Sequence, residues 1–281
     1  MGGCDEGTHL FPNEHCVGEN SMSDKKQKKR ISIHTIVLIF AIGIFVYSGC
    51  KLFLIISEYQ KGNKEYEAIV EEVVVELAQE VEDTEPRFQV DFEKLKKMNS
   101  EVVGWIRFDK PEQINYPLVH TKDNAKYLKT TFEGKSNSAG TLFVDADNAG
   151  DFSDQNTFIY GHNMKNGSMF GQLRKYKDAS FCAENPYFYI YTPDGEEAKY
   201  QIFAVCIVED TSASYDKHYE TEEEFLQYLN HVCQNARYGT SVELSANSKI
   251  VSLSTCTNAS ETQRLLVHGV KLEKTDEQTE E

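Results

Sequence analysis

A long apolar run near the N-terminus constrains this chain more than any other feature. It covers residues 31–56, about 26 residues, and a helix of that length spans a hydrocarbon core of ~30 Å. The basic segment KKQKKR at 25–30 precedes it, and positive residues beside a first span favour the cytoplasmic side. The sequence therefore predicts a transmembrane signal anchor over 31–57, with residues 1–30 as a cytoplasmic tail. A cleaved signal peptide is the alternative, although the run exceeds an ordinary signal-peptide core and no small-x-small cleavage site follows it.

The segments beside the predicted anchor are polar. Residues 1–21 carry no fold pattern, and because Met22 is followed by SDKKQKKR, they could be a misplaced start. Residues 58–87 are charged, with apolar side chains at helical spacing, which predicts a stalk or linker helix. Its apolar stripe consists of Ile69, Val73, Val74, Leu77 and Val81. The last residues, 274–281, are predicted to be a disordered tail.

Charge and cysteine spacing exclude several kinds of partner. The formal net charge is −16 at pH 7, whereas nucleic-acid binding relies on clustered Lys and Arg. Nucleic acid is therefore not expected to bind. The acidic residues are spread along the chain and none of the seven cysteines belongs to a CxxC pair, so neither a metal site nor a cofactor is expected. Counting alone leaves open a disulfide of the Cys206–Cys233 type.

Short β-rich segments bounded by Gly, Asn, Asp or Pro dominate the chain after Ser100. They lie at 104–108, 114–120, 141–146, 156–162, 187–192, 200–208, 249–256 and 264–272. These eight segments predict a mainly β fold, a closed or nearly closed barrel, because closure removes exposed strand edges. Helical patterns lie at 91–99, 123–130, 168–176 and 221–236. Thr221 and Glu224 form a capping box at the start of the last one.

The segment SLSTC at 252–256 ends one of these strands with a cysteine. The strand period of two places Val251 and Leu253 on a core face, and Ser254 and Cys256 on the opposite face. A polar loop follows, so this cysteine is placed for access rather than for packing. The alternative is a buried structural cysteine.

His162 and Arg264 also lie at the ends of predicted strands. His162 ends an apolar strand at a Gly-His-Asn turn, and a nucleophilic cysteine needs such a base or imidazolium partner, since its thiolate is the reactive form. If strands 249–256 and 264–272 pair, the loop between them returns Arg264 to the end that carries Cys256. A guanidinium there can bind a developing oxyanion. The alternatives are an unremarkable surface or core histidine and an arginine in a surface salt bridge.

Together these segments resemble the class B sortases. The family cysteine motif TLxTC is present as SLSTC, with Ser252 in place of the usual Thr, and YGHNM followed by GxMF at 160–170 matches the family histidine segment. Arg264 matches the family arginine in placement. Further segments similar to the family sequences lie at 99–108, 114–128 and 140–148, and the resemblance covers residues 88–273.

The resemblance implies a fold and a reaction. The fold is an eight-stranded sortase-type β-barrel with N-terminal helices and a long helix between strands 6 and 7. The reaction is cleavage of a C-terminal sorting motif of secreted proteins after a Thr, through an acyl-enzyme on Cys256. An amine of peptidoglycan or of its lipid-linked precursor then accepts the protein. His162 is implied as the acid/base and Arg264 as the oxyanion partner. The enzyme is expected in the cell membrane, with its catalytic domain on the extracellular face.

Substrate-binding residues are also implied by the resemblance. Asn124 and Leu128 match family positions near the sorting peptide, and Ser254 lies two residues before the nucleophile on the same strand face. The 209–220 loop is expected to form another wall of the pocket. Two other functions remain as alternatives: a hydrolytic cysteine peptidase, and a surface adhesion or binding module in which Cys256 is only structural.

Overall fold

The computed structural model describes residues 32–77, 87–257, 259–260 and 262–273. The chain divides into two compact units, residues 1–50 and residues 51–281. The predicted cytoplasmic tail and the predicted disordered C-terminal tail lie outside the described residues.

The first helix, α1 (Ile33–Val73), contains the predicted membrane anchor. Its large apolar side chains from Ile33 to Ile56 are exposed, and Phe45 reaches 79% exposure. The mean hydropathy of its most apolar window is 2.2. A helix that is apolar on all sides is suited to a nonpolar environment. By length and composition, α1 could therefore cross a membrane.

The chain becomes extended where α1 ends at Val73. Strand β1 (Val74–Leu77) pairs antiparallel with β2 (Arg87–Val90). The helix predicted for this linker is therefore wrong across β1. Over so few apolar residues, helical and strand periodicity cannot be separated, and the long-range pairing with β2 decides the conformation. The remainder of the predicted linker, residues 78–86, lies outside the described residues.

Eight further strands close into a barrel in the order β10-β8-β7-β3-β4-β5-β6-β9. They are β3 (Val102–Arg107), β4 (Asn115–His120), β5 (Leu142–Val144), β6 (Asn156–Tyr160), β7 (Tyr187–Tyr191), β8 (Glu197–Glu209), β9 (Ile250–Cys256) and β10 (Gln263–Lys271). The neighbours β4 and β5 are parallel, as are β6 and β9, and the other pairs are antiparallel. The predicted mainly β barrel is confirmed, and each predicted segment holds one strand.

Short helices lie in the connections before and between the barrel strands. They are α2 (Phe92–Met98), α3 (Ala179–Glu184), α4 (Glu222–Gln234) and the 3₁₀ turns Lys126–Leu128, Phe170–Lys177 and Ala213–Tyr215. α4 lies between the sixth and seventh barrel strands, as predicted, whereas α3 is not predicted by the sequence pattern. The Thr221 hydroxyl accepts from the Glu224 amide at 3.2 Å. The Glu224 carboxylate accepts from the Glu220 amide at 2.7 Å, so only half of the predicted capping box forms.

The core has two parts, and β9 belongs to both. Leu253 packs in the larger cluster together with Val267 of β10, while Ile250 packs in a second cluster with Phe225 of α4. Only one face of β9 was expected to be core. The structure corrects this expectation, because α4 packs on the second face at Ile250 and Tyr215 contacts Ser254, which is only 2% exposed.

A buried polar network lies under α4. His268 in β10 has no exposed surface, and its Nδ1 lies 2.8 Å from the Ser252 hydroxyl. That hydroxyl donates to Asn156 Oδ1 at 2.7 Å, so the imidazole donates to Ser252. Burial lowers the pKa of His268 to about 3, and the folded domain therefore holds this imidazole neutral.

We expect this histidine to make the fold sensitive to acid. The unfolded chain binds a proton at His268 below a pH of ~6.5, whereas the folded domain does not until pH falls to about 3. The free energy of unfolding is thus unaffected by this group above pH 6.5. Below that pH it decreases, by ~2 kcal/mol at pH 5. Urea unfolding at pH 7.5, 6 and 5 measures this loss. His268→Gln cannot titrate, so its free energy of unfolding should fall less over the same range. Equal pH slopes in both proteins would contradict the expectation.

Candidate active site

Cys256 occupies the last position of β9 and is exposed, while the preceding residues of the strand are buried. Its register partner on β10 is Arg264. Beyond this pair the chain leaves the sheet, so the cysteine side chain lies at the rim of the barrel. A thiol in this position is accessible to a substrate, as the sequence predicts.

His162 reaches the same rim because β6 runs parallel to β9. Tyr160, at the end of β6, is in register with Ser254, and the Gly161 amide continues the ladder by donating to the Ser254 carbonyl at 3.1 Å. The side-chain amide of Asn163 donates to the Cys256 carbonyl at 2.9 Å. Two parallel strands that end together thus place the histidine segment beside the cysteine.

Only glycine fits directly before His162. A Cβ atom on Gly161 would lie 2.3 Å from Leu142 Cδ2 and 2.7 Å from Phe170 Cδ2. The close approach of these two buried side chains fixes the path of the backbone. The glycine of the Gly-His-Asn turn is therefore required by packing around the histidine.

A backbone carbonyl fixes the orientation of the imidazole. His162 Nε2 lies 2.7 Å from the Leu128 carbonyl oxygen. Because a carbonyl only accepts hydrogen bonds, Nε2 must carry a proton. In the neutral imidazole this leaves Nδ1 as the nitrogen that can take up a proton. Gly140 packs beneath this carbonyl, since a Cβ there would lie 2.9 Å from the Leu128 oxygen.

Arg264 lies beside Cys256 and also forms an ion pair. Its Nη2 is 3.0 Å from Asp210 Oδ2, and its side chain is 22% exposed. Its Nη1 donates to the Gln263 carbonyl at 3.2 Å. The guanidinium therefore stands at the rim with its orientation restrained, and the salt bridge considered as an alternative for this residue is present as well.

A pocket of about 260 Å³ opens at this rim. All six residues predicted as catalytic or substrate-binding line it: Cys256, His162, Arg264, Asn124, Leu128 and Ser254. Phe143, Tyr160 and Leu128 supply apolar surface. A partly apolar cleft with a few convergent polar groups is typical of a binding site for a small ligand or a peptide segment.

Sequence reasoning did not identify Tyr215, which acts on the same site from the loop after β8. Its hydroxyl is 2.7 Å from the Ser254 hydroxyl, and its ring stacks on Phe158 at 5.3 Å. Burial raises the pKa of Tyr215 to about 12. The only available signal was the expectation that the 209–220 loop would form a wall. Asn124 has a structural contact as well, because its Oδ1 accepts from the Ala146 amide at 2.8 Å.

Three other cysteines, Cys182, Cys206 and Cys233, lie in environments that disfavour reactivity. Cys206 and Cys233 are free thiols, so the disulfide left open by counting is not formed. Cys206 is fully buried, and burial raises its pKa to about 12. Burial likewise raises the pKa of Cys182 and of Cys233. A raised pKa disfavours the thiolate, so these residues are poor nucleophiles.

Comparison with known proteins gives a family match over this region. Residues 109–272 match the family described as "Sortase domain". Sortase B of Listeria monocytogenes is 32% identical over 236 residues, which cover 81% of this chain and 92% of the relative. The family match over residues 109–272 contains all six predicted site residues.

Solved structures give the same result for the fold. Sortase B from B. anthracis in complex with AAEK1 matches with a TM-score of 0.67 and 32% identity, covering 78% of this chain and all of that chain. A Staphylococcus aureus sortase B–substrate complex matches with a TM-score of 0.61 and 27% identity, covering 66% of this chain and 85% of that chain. The fold of the matched part of the chain is therefore shared with these proteins.

Proposed function

Because this chain is a class B member of the sortase family of cysteine transpeptidases, we propose that it joins secreted proteins to a cell-wall amine. The observation that carries the proposal is that Cys256, His162 and Arg264 line one pocket. The three groups that acyl transfer needs are a nucleophile, an acid/base and an oxyanion donor. These residue types supply all three.

In the first step, the Cys256 thiolate attacks the carbonyl carbon of the Thr in the sorting motif. The carbonyl oxygen becomes an oxyanion, and the Arg264 guanidinium donates hydrogen bonds to it. Collapse of the tetrahedral intermediate breaks the peptide bond. His162, which has taken the thiol proton of Cys256 at Nδ1, gives a proton to the departing amine, and the peptide remains on Cys256 as a thioester.

In the second step, an amine of peptidoglycan or of its lipid-linked precursor attacks the thioester. His162 takes the proton from this amine, a second oxyanion forms and collapses, and the thiolate leaves. The product is a new amide bond between the secreted protein and the wall. No cofactor or metal ion takes part in either step.

The sorting peptide is proposed to lie in the pocket beside the three catalytic groups. Asn124, Leu128 and Ser254 line this pocket and are proposed to contact the peptide, with Leu128 40% exposed. The volume of about 260 Å³ is suited to a few side chains rather than to a whole domain. Specificity is therefore expected to depend on a short motif.

Product analysis tests this function. The purified chain is incubated with a library of sorting-type peptides, with and without wall-derived amines, and the products are identified by mass spectrometry. Transpeptidation predicts peptides joined to the added amine. A hydrolytic peptidase gives only free acids whether or not amine is present, and an adhesion module gives no cleavage. Either of these results would refute the proposal.

We further propose that the enzyme is a single-pass membrane protein with its N-terminus in the cytoplasm. α1 could cross the membrane, and the basic segment 25–30 precedes it. Protease added to intact protoplasts should then remove the part of the chain after residue 57. An epitope tag placed before residue 25 should stay protected, which serves as the internal control. Full protection of the catalytic domain would overturn this orientation.

A further inference from the structure

A buried aspartate beneath the pocket holds together groups from separate parts of the chain. Asp145 follows β5 and is 1% exposed. Its Oδ2 accepts from the Tyr160 hydroxyl at 2.7 Å, and its Oδ1 accepts from Lys217 Nζ at 2.9 Å. The Asp147 amide donates to the same carboxylate at 2.9 Å. The carboxylate is therefore satisfied by the Asp147 amide and by two side chains from separate segments, β6 and the loop after β8.

The turn that carries this carboxylate is firmly attached to the barrel. The Asp145 amide donates to the Phe158 carbonyl at 2.9 Å, and the Phe158 amide donates to Asn148 Oδ1 at 2.9 Å. Asn148 itself is 4% exposed. The turn 145–148 is thus held against β6 by backbone and side-chain hydrogen bonds.

Three segments that line or support the pocket are attached to this turn. The Asn124 wall is bound through the Ala146 amide, at 2.8 Å, and the β6 wall through Tyr160. The third segment is the 210–221 loop, which contacts the pocket residue Ser254 through Tyr215. This loop is bound to the turn through Lys217, two residues beyond Tyr215. Lys217 Nζ also contacts Asp147 Oδ2 at 2.9 Å. Lys217 is the residue by which this loop is ion-paired to the turn.

Asp145 and Lys217 both favour their charged forms in this contact. Burial alone would raise the pKa of Asp145, but its hydrogen bonds from the Asp147 amide, Lys217 and Tyr160 outweigh burial and lower it. Burial alone would lower the pKa of Lys217, but the two carboxylates outweigh it and raise it. The side chains of Lys217 and Asp145 are 18% and 1% exposed, so water screens their attraction less than on an open surface.

We propose that Lys217 is a positioning residue that fixes the 210–221 loop against the turn 145–148 and so holds Tyr215 against Ser254 in the lining of the peptide pocket. This inference rests on the proposed function for its substrate, a sorting peptide. Lys217 does not line the pocket and takes no part in bond breaking. Its loss should therefore weaken peptide binding and leave the chemistry of Cys256 in place.

The first test separates KM from kcat in the full chain. Lys217→Met should raise KM for a sorting peptide by about 10- to 100-fold, the range expected for losing a hydrogen bond to a buried charge, while kcat changes by less than about 3-fold. Lys217→Arg keeps the charge and should restore most of the affinity. Lys271→Met, which breaks the ion pair with Glu196 at 2.6 Å, is the matched control and should leave KM unchanged. An unchanged KM in Lys217→Met, or a loss in kcat alone, would overturn the inference.

The second test does not depend on turnover. Amide hydrogen exchange in residues 210–221 should be faster in Lys217→Met than in the wild type and in Lys271→Met, because one of the loop's attachments is gone. If the wild type cleaves no sorting peptide but exchange in the loop still accelerates, the proposed function fails and the positioning role stands. If the wild type cleaves the peptide and exchange does not change, the positioning role fails alone. Should Lys217→Met not fold, Lys217→Gln is compared with Lys217→Arg in both measurements.

Discussion

Cys256→Ala abolishes peptide cleavage and transfer while the domain stays folded. Without a thiolate no acyl-enzyme can form, and loss of the nucleophile in other acyl-transfer enzymes lowers kcat by on the order of 10⁴- to 10⁶-fold. The fold should persist because Cys256 is exposed at the end of β9. The rate of amide formation between a sorting peptide and an added amine measures the effect, and circular dichroism verifies the fold.

The remaining cysteines provide the controls for this experiment. Cys233→Ala removes another exposed thiol and should leave activity largely unchanged. Cys182→Ala and Cys206→Ala should also retain activity, although both sites are buried and each small cavity reduces stability. Turnover by purified Cys256→Ala would exclude the acyl-enzyme mechanism. Loss of activity in Cys233→Ala would indicate that a different thiol reacts.

Arg264→Ala should lower kcat by ~10²- to 10³-fold with a smaller change in KM, because a hydrogen bond to the oxyanion strengthens at the transition state. Arg264→Lys should fail nearly as badly. Lysine keeps the positive charge but lacks the planar pair of donors and their fixed reach. Steady-state kinetics of the two variants on one sorting peptide measures this.

The ion pair with Asp210 supplies the decisive control for Arg264. If Arg264 only balances this carboxylate, Lys should restore most activity, and Asp210→Asn should cost as much as Arg264→Ala. Both effects would be small, since the pair is partly exposed, at 22% and 39%, and exposed pairs are worth ~0–1 kcal/mol. If Arg264 binds the oxyanion, Asp210→Asn should cost much less than Arg264→Ala. A near-wild-type lysine variant would remove Arg264 from the catalytic set.

Element type could be predicted wherever several residues repeat one pattern. All eight barrel strands were found this way, because alternation over five or more residues between turn signals is a strong local signal. The prediction was wrong in β1 (Val74–Leu77), where a short apolar stretch suits a helix as well as a strand. Pairing with β2 through long-range hydrogen bonds decides the conformation there, and no local pattern contains that information.

The residues of the candidate site could likewise be predicted only in part. Its reactive residues could be identified because motif and strand end coincide at Cys256 and His162. Tyr215 and Lys217 could not be identified, because their partners Ser254 and Asp145 lie about 40 to 70 residues away in sequence. Such contacts depend on which strands become neighbours.

The sequence by itself determined the long apolar helix, the strand segments, the class B sortase resemblance and the types of reactive side chain. Each follows from local periodicity or from a short motif. Only the tertiary structure decided that β6 lies parallel to β9, which places His162 beside Cys256, and that α4 packs on the second face of β9. It also decided that the Leu128 carbonyl orients the imidazole. The physical reason is that barrel closure joins distant strands through backbone hydrogen bonds and shared apolar burial, and these interactions act between segments rather than within them.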